Sequence, residues 1–180
     1  MSTMTLPTTG TWTFDPTHTR VGFVARHLMV AKVRGSFSSF SGTINIGATP
    51  EDSSVNVSID AASIDTGVED RDNHLRSADF LDAENHPTLE FVSTEVRAVG
   101  GGYEVDGDLT IRGETHPLTL ELEYGGVVTD PYGNEKAVFA AETKIDREDW
   151  GLTWNAPLEA GGWLVGKEVK IEIEVELAKA

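Results

Sequence analysis

The chain contains no cysteine among its 180 residues, which excludes disulfide bonds, thiolate metal sites and a cysteine nucleophile. Basic residues are also scarce, because 14 lysines and arginines stand against 30 aspartates and glutamates, and the formal net charge is −16. So acidic a surface repels phosphate backbones and anionic lipid headgroups. We therefore expect no nucleic acid partner and no flat docking site on an anionic membrane.

Long apolar runs are missing as well. No segment approaches the roughly 18 consecutive apolar residues of a transmembrane helix, which predicts a protein without an integral membrane segment. Residues 1–10 are rich in threonine and carry neither the basic nor the apolar region of a signal peptide. This absence predicts a cytoplasmic protein, made of a flexible segment at 1–10 and a single domain at 11–178.

The dominant positive signal is alternation of apolar and polar residues with period two. In the clearest run, 169–177, valine, isoleucine and leucine alternate with lysine and glutamate, and 55–60 and 118–123 behave alike. Successive side chains of a strand point to opposite faces, so each run has one dry and one wet face. Further strands are predicted at about 12–15, 20–30, 35–46, 89–98, 102–112 and 138–146.

Glycine and proline clusters mark breaks between these runs, at 100–102, 125–126, 130–134 and 161–162. The longest interruption differs from them, because Thr66 and Glu69 have the spacing of a capping box. It predicts a short helical insertion at about 67–83. Many short antiparallel strands with one brief helix indicate an all-β barrel or sandwich, and hydropathy alone does not separate the two.

Few residues form a pattern that is typical of a catalytic or cofactor-binding site. The sequence has no Gly-x-Ser-x-Gly elbow, no dinucleotide-binding glycine motif and no phosphate-binding loop. Its five histidines show no metal-ligand spacing, so no metal and no cofactor is predicted. Arg71, Asp72 and His74 could do acid–base work, or they could form a structural network that holds the helix across a barrel mouth, and we favour the network.

Several longer motifs resemble the YceI-like family of polyisoprenoid-binding proteins. The resemblance spans nearly the whole chain in order, which makes chance similarity improbable. The most specific block is RDNHLRSADFLD at 71–82. The other matching segments are WTFDPTHTRVGF at 12–23, His27, RGSF at 34–37, FSG at 40–42, HPTLEFVS at 86–93, GDLTIRG at 107–113 and REDWG at 147–151.

The resemblance implies an extended, antiparallel, lipocalin-like barrel of about eight strands that encloses a long isoprenoid chain, often as a homodimer. The alternation alone favours an ordinary packed core. The resemblance implies instead that the dry faces line a cavity. The residues expected in the cavity or at its mouth are His18, Val21, Phe23, His27, Phe37, Phe40, Leu75, Phe80, Phe91, Phe139 and Trp150.

Three functions stay open at this point. The first is non-catalytic carriage of a long apolar lipid, such as a polyisoprenoid or an isoprenoid quinone, with its polar head beside His18, Arg71 or His74. The second is an enzyme that acts on an isoprenoid head group through Arg71, Asp72 and His74. The third is a structural or stress protein whose interior is filled by its own side chains.

Overall fold

The computed structural model describes residues 7–159 and 161–180. This part of the chain contains one α-helix, α1 (Glu69–Arg76), and short 3₁₀ turns at Pro50–Asp52, Ala61–Ser63 and Arg147–Trp150. Its strands are β1 (Gly10–Phe14), β2 (Arg20–His27), β3 (Ala31–Phe37), β4 (Phe40–Ile46), β5 (Ser54–Asp60), β6 (Ile64–Asp65), β7 (Thr88–Val99), β8 (Gly102–Ile111), β9 (Glu114–Thr129), β10 (Glu135–Asp146) and β11 (Val165–Lys179).

Eight of these strands form a closed antiparallel barrel, which confirms the predicted fold class. The ring runs β1–β4–β5–β7–β8–β9–β10–β11 and closes because β11 pairs back with β1, for example Leu177 with Phe14. Full closure leaves no unpaired edge in the ring. The period-two runs of the sequence lie inside these strands, and their dry faces point into the barrel.

The last strand is long enough to serve two partners. Its C-terminal end pairs with β1, whereas its first two thirds pair with β2, for example Ile171 with Phe23. The small ribbon β2–β3–β6 therefore extends the barrel wall beyond the ring. Strands predicted at 20–30 and 35–46 are instead three strands, because the chain turns sharply at 28–30 and again at 38–39.

The glycine pair at 125–126 is not the predicted break. β9 runs through it, and the pairing with β10 shifts register between Val138 and Phe139. Gly126 has a φ of 95°, which a residue with a Cβ rarely adopts, so the pair forms a bulge that bends a continuous strand.

The first and the last of the described residues lie side by side at one end of the barrel. Residues 1–6 of the segment predicted to be flexible lie outside the described residues, and Gly10 already belongs to β1. Lys179 Nζ donates a hydrogen bond to Thr8 Oγ1 at 2.7 Å. Within the described residues, no helix is both long and apolar enough to cross a membrane.

Candidate functional site

The barrel encloses a cavity of about 340 Å³ whose walls are aliphatic and aromatic. Every strand of the ring contributes inward-facing residues to it. β11 illustrates the pattern with Ile171, Ile173, Val175 and Leu177, because alternate side chains of a strand share a face. The volume falls within the range of about 300–1,000 Å³ that is typical of small-molecule sites.

One end of the cavity opens between the N-terminal segment and the β4–β5 loop. We call this opening the mouth, and its residues are Pro7, Thr9, Ala48, Thr49 and Ser53. Three of them, Thr9, Ala48 and Thr49, are exposed to solvent. The hydroxyl groups of Thr9, Thr49 and Ser53 make the mouth more polar than the walls below it.

An aromatic cluster lies just inside this end. The ring centroids of Tyr124 and Phe139 are 4.9 Å apart, and Tyr103 lies 6.0 Å from Tyr124. Burial raises the pKa of the Tyr103 phenol, and burial together with the neighbouring Tyr103 raises the pKa of Tyr124 to about 12. Both phenols stay protonated at neutral pH. Tyr103 lines the cavity and can therefore offer a hydrogen bond to a polar group near the mouth.

Buried side chains close the opposite end and form the floor of the barrel, which comprises Leu75, Phe80, Trp150 and Leu152. Trp150 is 3% exposed, and its indole N–H donates to the carbonyl of Leu109 at 2.9 Å. Phe80 and Leu152 are also buried, and Leu75 packs on the same core. These residues pack into the core below the cavity and are not among the residues that line it, contrary to the sequence prediction for Leu75, Phe80 and Trp150.

A buried guanidinium organises the chain beneath the floor. Arg147 is 3% exposed, and it donates to the carbonyls of Leu152, Trp154, Gly166 and Val165. Burial lowers the pKa of Arg147, and the neighbouring carboxylates of Glu148 and Asp146 offset the loss of water only in part. Its planar donors therefore join the segment after the last 3₁₀ turn to the start of β11.

The start of α1 is held differently from the predicted capping box. The residue before the helix is Val68, and Thr66 instead donates its hydroxyl and its backbone N–H to Asp72 Oδ1, at 2.6 and 2.8 Å. Arg71 Nε donates to the Thr66 hydroxyl at 2.7 Å. Arg71 and Asp72 point in different directions on the helix. Both nevertheless form hydrogen bonds with Thr66, because the preceding chain folds back across the first turn.

Asp72→Ala should lower the melting temperature without abolishing the fold. The carboxylate is 6% exposed and, in the described residues, forms no ion pair, so its removal strands two donors rather than a buried cation. We expect a loss of about 1–3 kcal/mol in the free energy of unfolding. At this chain length, that loss corresponds to roughly 2–12 °C in a thermal melt.

Asp70→Ala is the matched control, because Asp70 is an exposed carboxylate in the same turn of α1. It should melt close to the wild type. If Asp72→Ala melted like Asp70→Ala, the structural role of the buried carboxylate would be refuted.

His74 does not belong to the Thr66 network. Its Nε2 lies 2.9 Å from Asp79 Oδ2, and its ring packs edge-on against Trp154 and Phe80 at 4.5 and 5.0 Å. The three predicted network residues thus form two separate groups. Neither group lines the cavity, and no side chain of this set reaches the mouth.

His18 lies on the outer surface rather than in the cavity. It contacts Asp15 at 3.1 Å and Glu176 at 3.8 Å, and the hydrogen bond to Asp15 raises the pKa of His18. The three groups could each offer one ligand atom to a cation. Lys136 Nζ, however, lies 3.1 Å from Asp15 Oδ2 and already neutralises that carboxylate. We assign no metal to this cluster.

The structure brings together only part of the predicted cavity set. Val21, Phe23, Phe37, Phe91 and Phe139 line the cavity. Phe40 lies behind Phe14, which lines the cavity and is 5.7 Å away between ring centroids. His27 lies at the end of β2, opposite Val165, and does not line the cavity either.

Sequence reasoning missed the mouth and the role of Arg147. The mouth combines segments about 40 residues apart and has no motif. Arg147 does stand in a recognisable segment, REDWG, but its role depends on carbonyls that only the folded loop brings together. In contrast, the alternation at 118–123 and 169–177 predicted dry faces that line the cavity from β9 and β11.

The sequence and the fold both have known relatives. A model of the YceI-like domain matches residues 12–177. A UPF0312 protein of Staphylococcus epidermidis is 39% identical over 170 residues, which cover 92% of this chain and 95% of that protein. The similarity therefore includes every strand of the barrel.

Solved structures share the same architecture. A YCEI protein from Campylobacter jejuni is 31% identical, with a TM-score of 0.74 over 100% of this chain and 99% of that chain. A polyisoprenoid binding domain from Saccharophagus degradans has a TM-score of 0.71 over 94% of this chain and 98% of that chain, at 14% identity. The second likeness shows the fold alone.

Proposed function

This chain belongs to the YceI-like family, and from that premise we propose that it binds a long apolar lipid of the polyisoprenoid or isoprenoid-quinone class inside its barrel, without catalysis. The observation that carries the proposal is the distribution of polarity along the cavity. The walls are apolar throughout, and hydroxyl groups occur towards the mouth. This arrangement fits a molecule with a hydrocarbon tail and one polar end.

The energetics of burial favour such a ligand. Each methylene group that leaves water contributes about 0.8 kcal/mol, so a prenyl chain gains affinity with every unit that enters, before the cost of ordering it. No polar side chain is needed along the tail. The polar head would lie near Tyr103, Thr49 and Ser53, and not near His18, Arg71 or His74 as the sequence suggested.

Two alternatives have less support. An enzyme that used Arg71, Asp72 and His74 would need them to converge on the ligand, whereas their polar atoms are hydrogen-bonded to Thr66 and Asp79 outside the cavity. A filled interior is difficult to reconcile with a cavity of about 340 Å³. The name of the Saccharophagus domain adds support for the ligand class. Cytoplasmic location and a homodimer stay predictions.

The direct test is to extract gently purified protein with organic solvent and to identify the extract by mass spectrometry. Delipidated protein is then titrated with a polyprenol, an isoprenoid quinone and a straight-chain fatty amide. We expect saturable uptake of at least one isoprenoid. Absence of saturable uptake for all three would refute the proposal.

Phe23→Asp should weaken this uptake at least about tenfold, whereas Val24→Asp should leave it near the wild-type value. Phe23 lines the cavity, so its replacement places an unpaired carboxylate in an apolar wall. Val24 lies on the opposite face, where its cross-strand neighbours are Arg34 and Lys170. An aspartate there has cations beside it. Equal losses of uptake in the two variants would mean that the ligand does not occupy this cavity.

A further inference from the structure

The charge of this protein is distributed unevenly. Residues 16–50 contain four basic side chains, Arg20, Arg26, Lys32 and Arg34, and no acidic one. The rest of the chain therefore carries −20, given the total of −16. The basic segment includes the whole β2–β3 hairpin, whose turn lies at the end of the barrel opposite the mouth.

The tip of this hairpin is apolar and exposed. Leu28, Met29 and Val30 are 49%, 61% and 76% exposed, and they follow one another without a polar residue. The loop before β11 lies beside them, since Leu28 N–H donates to the Leu164 carbonyl at 2.8 Å. That loop adds Trp163, which is 54% exposed. We call Leu28, Met29, Val30 and Trp163 the tip patch.

The backbone of the tip indicates that its apolar side chains are not there for the turn itself. Leu28 and Met29 have φ values of 53° and 70°, a left-handed conformation that asparagine and glycine adopt far more readily. A turn optimised for stability alone would carry those residues. Strain retained where the side chains stay largely exposed points to a role in recognition.

From these observations we propose that the tip patch docks this protein on an anionic membrane surface. Exposed apolar residues with basic neighbours are the composition of interfacial membrane anchors, and tryptophan favours the region of the lipid headgroups. Arg26 and Lys32 flank the tip, and neither forms an ion pair in the described residues. Their charges are thus available to lipid phosphates, despite the repulsion that the total charge predicts.

The same observations favour a membrane over a second copy of this chain. In a twofold contact through the tip patch, Arg26 and Lys32 would be brought near their own copies, and like charges repel. The neighbouring loop offers only Glu159 in compensation. A layer of anionic headgroups, in contrast, complements both cations and accepts the apolar tip.

Docking through this end would place the closed floor next to the bilayer, with the mouth facing away from it. The β2–β3 hairpin carries Phe23 and Phe37 on its inner face, where both line the cavity. Phe23 precedes Leu28 by five residues, or about 17 Å of strand. The inference goes beyond the proposed function and does not depend on it, since vesicle binding is measured without reference to lipid uptake.

The test is co-sedimentation of the whole protein with phosphatidylcholine vesicles that contain or lack phosphatidylglycerol. We expect binding to the anionic vesicles, weaker binding to the neutral ones, and a decrease as salt is added. The double variant Leu28→Asn/Met29→Gly should bind anionic vesicles at least about tenfold more weakly. Its residues suit the left-handed turn, so its melting temperature should equal or exceed that of the wild type.

Two controls make the result specific. Tyr132→Ser removes a large exposed side chain from the β9–β10 turn and should leave vesicle binding unchanged. Arg26→Gln/Lys32→Gln should reduce binding to anionic vesicles alone. The proposal is overturned if the wild type does not bind anionic vesicles, or if the tip variant binds them as well as the wild type does. A tip variant that only converts a dimer to a monomer would assign the patch to self-association instead.

Discussion

Ala141→Trp should reduce isoprenoid uptake at least about tenfold and leave the melting temperature equal to, or above, that of the wild type. Ala141 lines the cavity from β10, between Leu122 of β9 and Ile173 of β11. An indole at this position occupies space that the tail of the ligand would need. Overpacking normally destabilises a core by about 1–3 kcal/mol, but here a void already exists to receive the ring.

The neighbouring alanine offers a matched control. Ala140 points to the outer face, where Glu123 and Glu174 are its cross-strand partners. Ala140→Trp adds the same ring to the same strand without entering the cavity, so uptake should be unchanged. Titration of delipidated protein with a polyprenol measures both variants. If Ala141→Trp took up the polyprenol with wild-type affinity, the ligand would have to bind elsewhere.

Arg147→Met should be the most destabilising of the single changes considered. Methionine approximates the length of the side chain but leaves the carbonyls of Leu152, Trp154 and Gly166 without their donor. Each stranded buried acceptor costs about 1–3 kcal/mol, and some can turn towards water. We expect a loss of about 3 kcal/mol or more in the free energy of unfolding, equivalent to roughly 6–12 °C in a thermal melt.

Arg147→Lys separates the contribution of the positive charge to stability from the contribution of the planar guanidinium donors. It keeps a cation but loses the planar fork of donors, so its melting temperature should fall between those of the wild type and Arg147→Met. Arg34→Met is the surface control, because Arg34 is exposed and its ion pair in the described residues is a distant one, 3.7 Å from Glu172. A melting temperature for Arg147→Met as high as that of Arg34→Met would contradict the account of the floor.

Much of the barrel could be predicted because strand faces are a local property. The alternation at 169–177 lies within β11, and its apolar members Ile171 and Ile173 do line the cavity. Parity also assigned Val21 and Phe23 correctly to the inside. Hydropathy could not distinguish a barrel from a sandwich, since closure depends on β1 meeting β11, and no local pattern records that pairing.

The sequence-based predictions were wrong where the local sequence was compatible with more than one arrangement. Thr66 and Glu69 have capping-box spacing, yet the Thr66 hydroxyl bonds to Asp72, a buried acceptor that the helix itself supplies. The turn at 28–30 was hidden because Leu28 and Met29 carry a left-handed backbone without the usual glycine or asparagine. Contacts of both kinds are settled by tertiary packing rather than by local preference.

The pairing of the first strand with the last has a consequence for folding. Phe14 meets Leu177, 163 positions later, so β1 cannot complete its pairing until the C-terminal strand has been synthesised. Contacts between such distant segments slow folding, since the connecting chain must be ordered before the contact forms. During synthesis, the apolar faces of the intermediate strands therefore stay accessible until β11 emerges. The pairing of β11 with β1 thus controls when the interior is first separated from water.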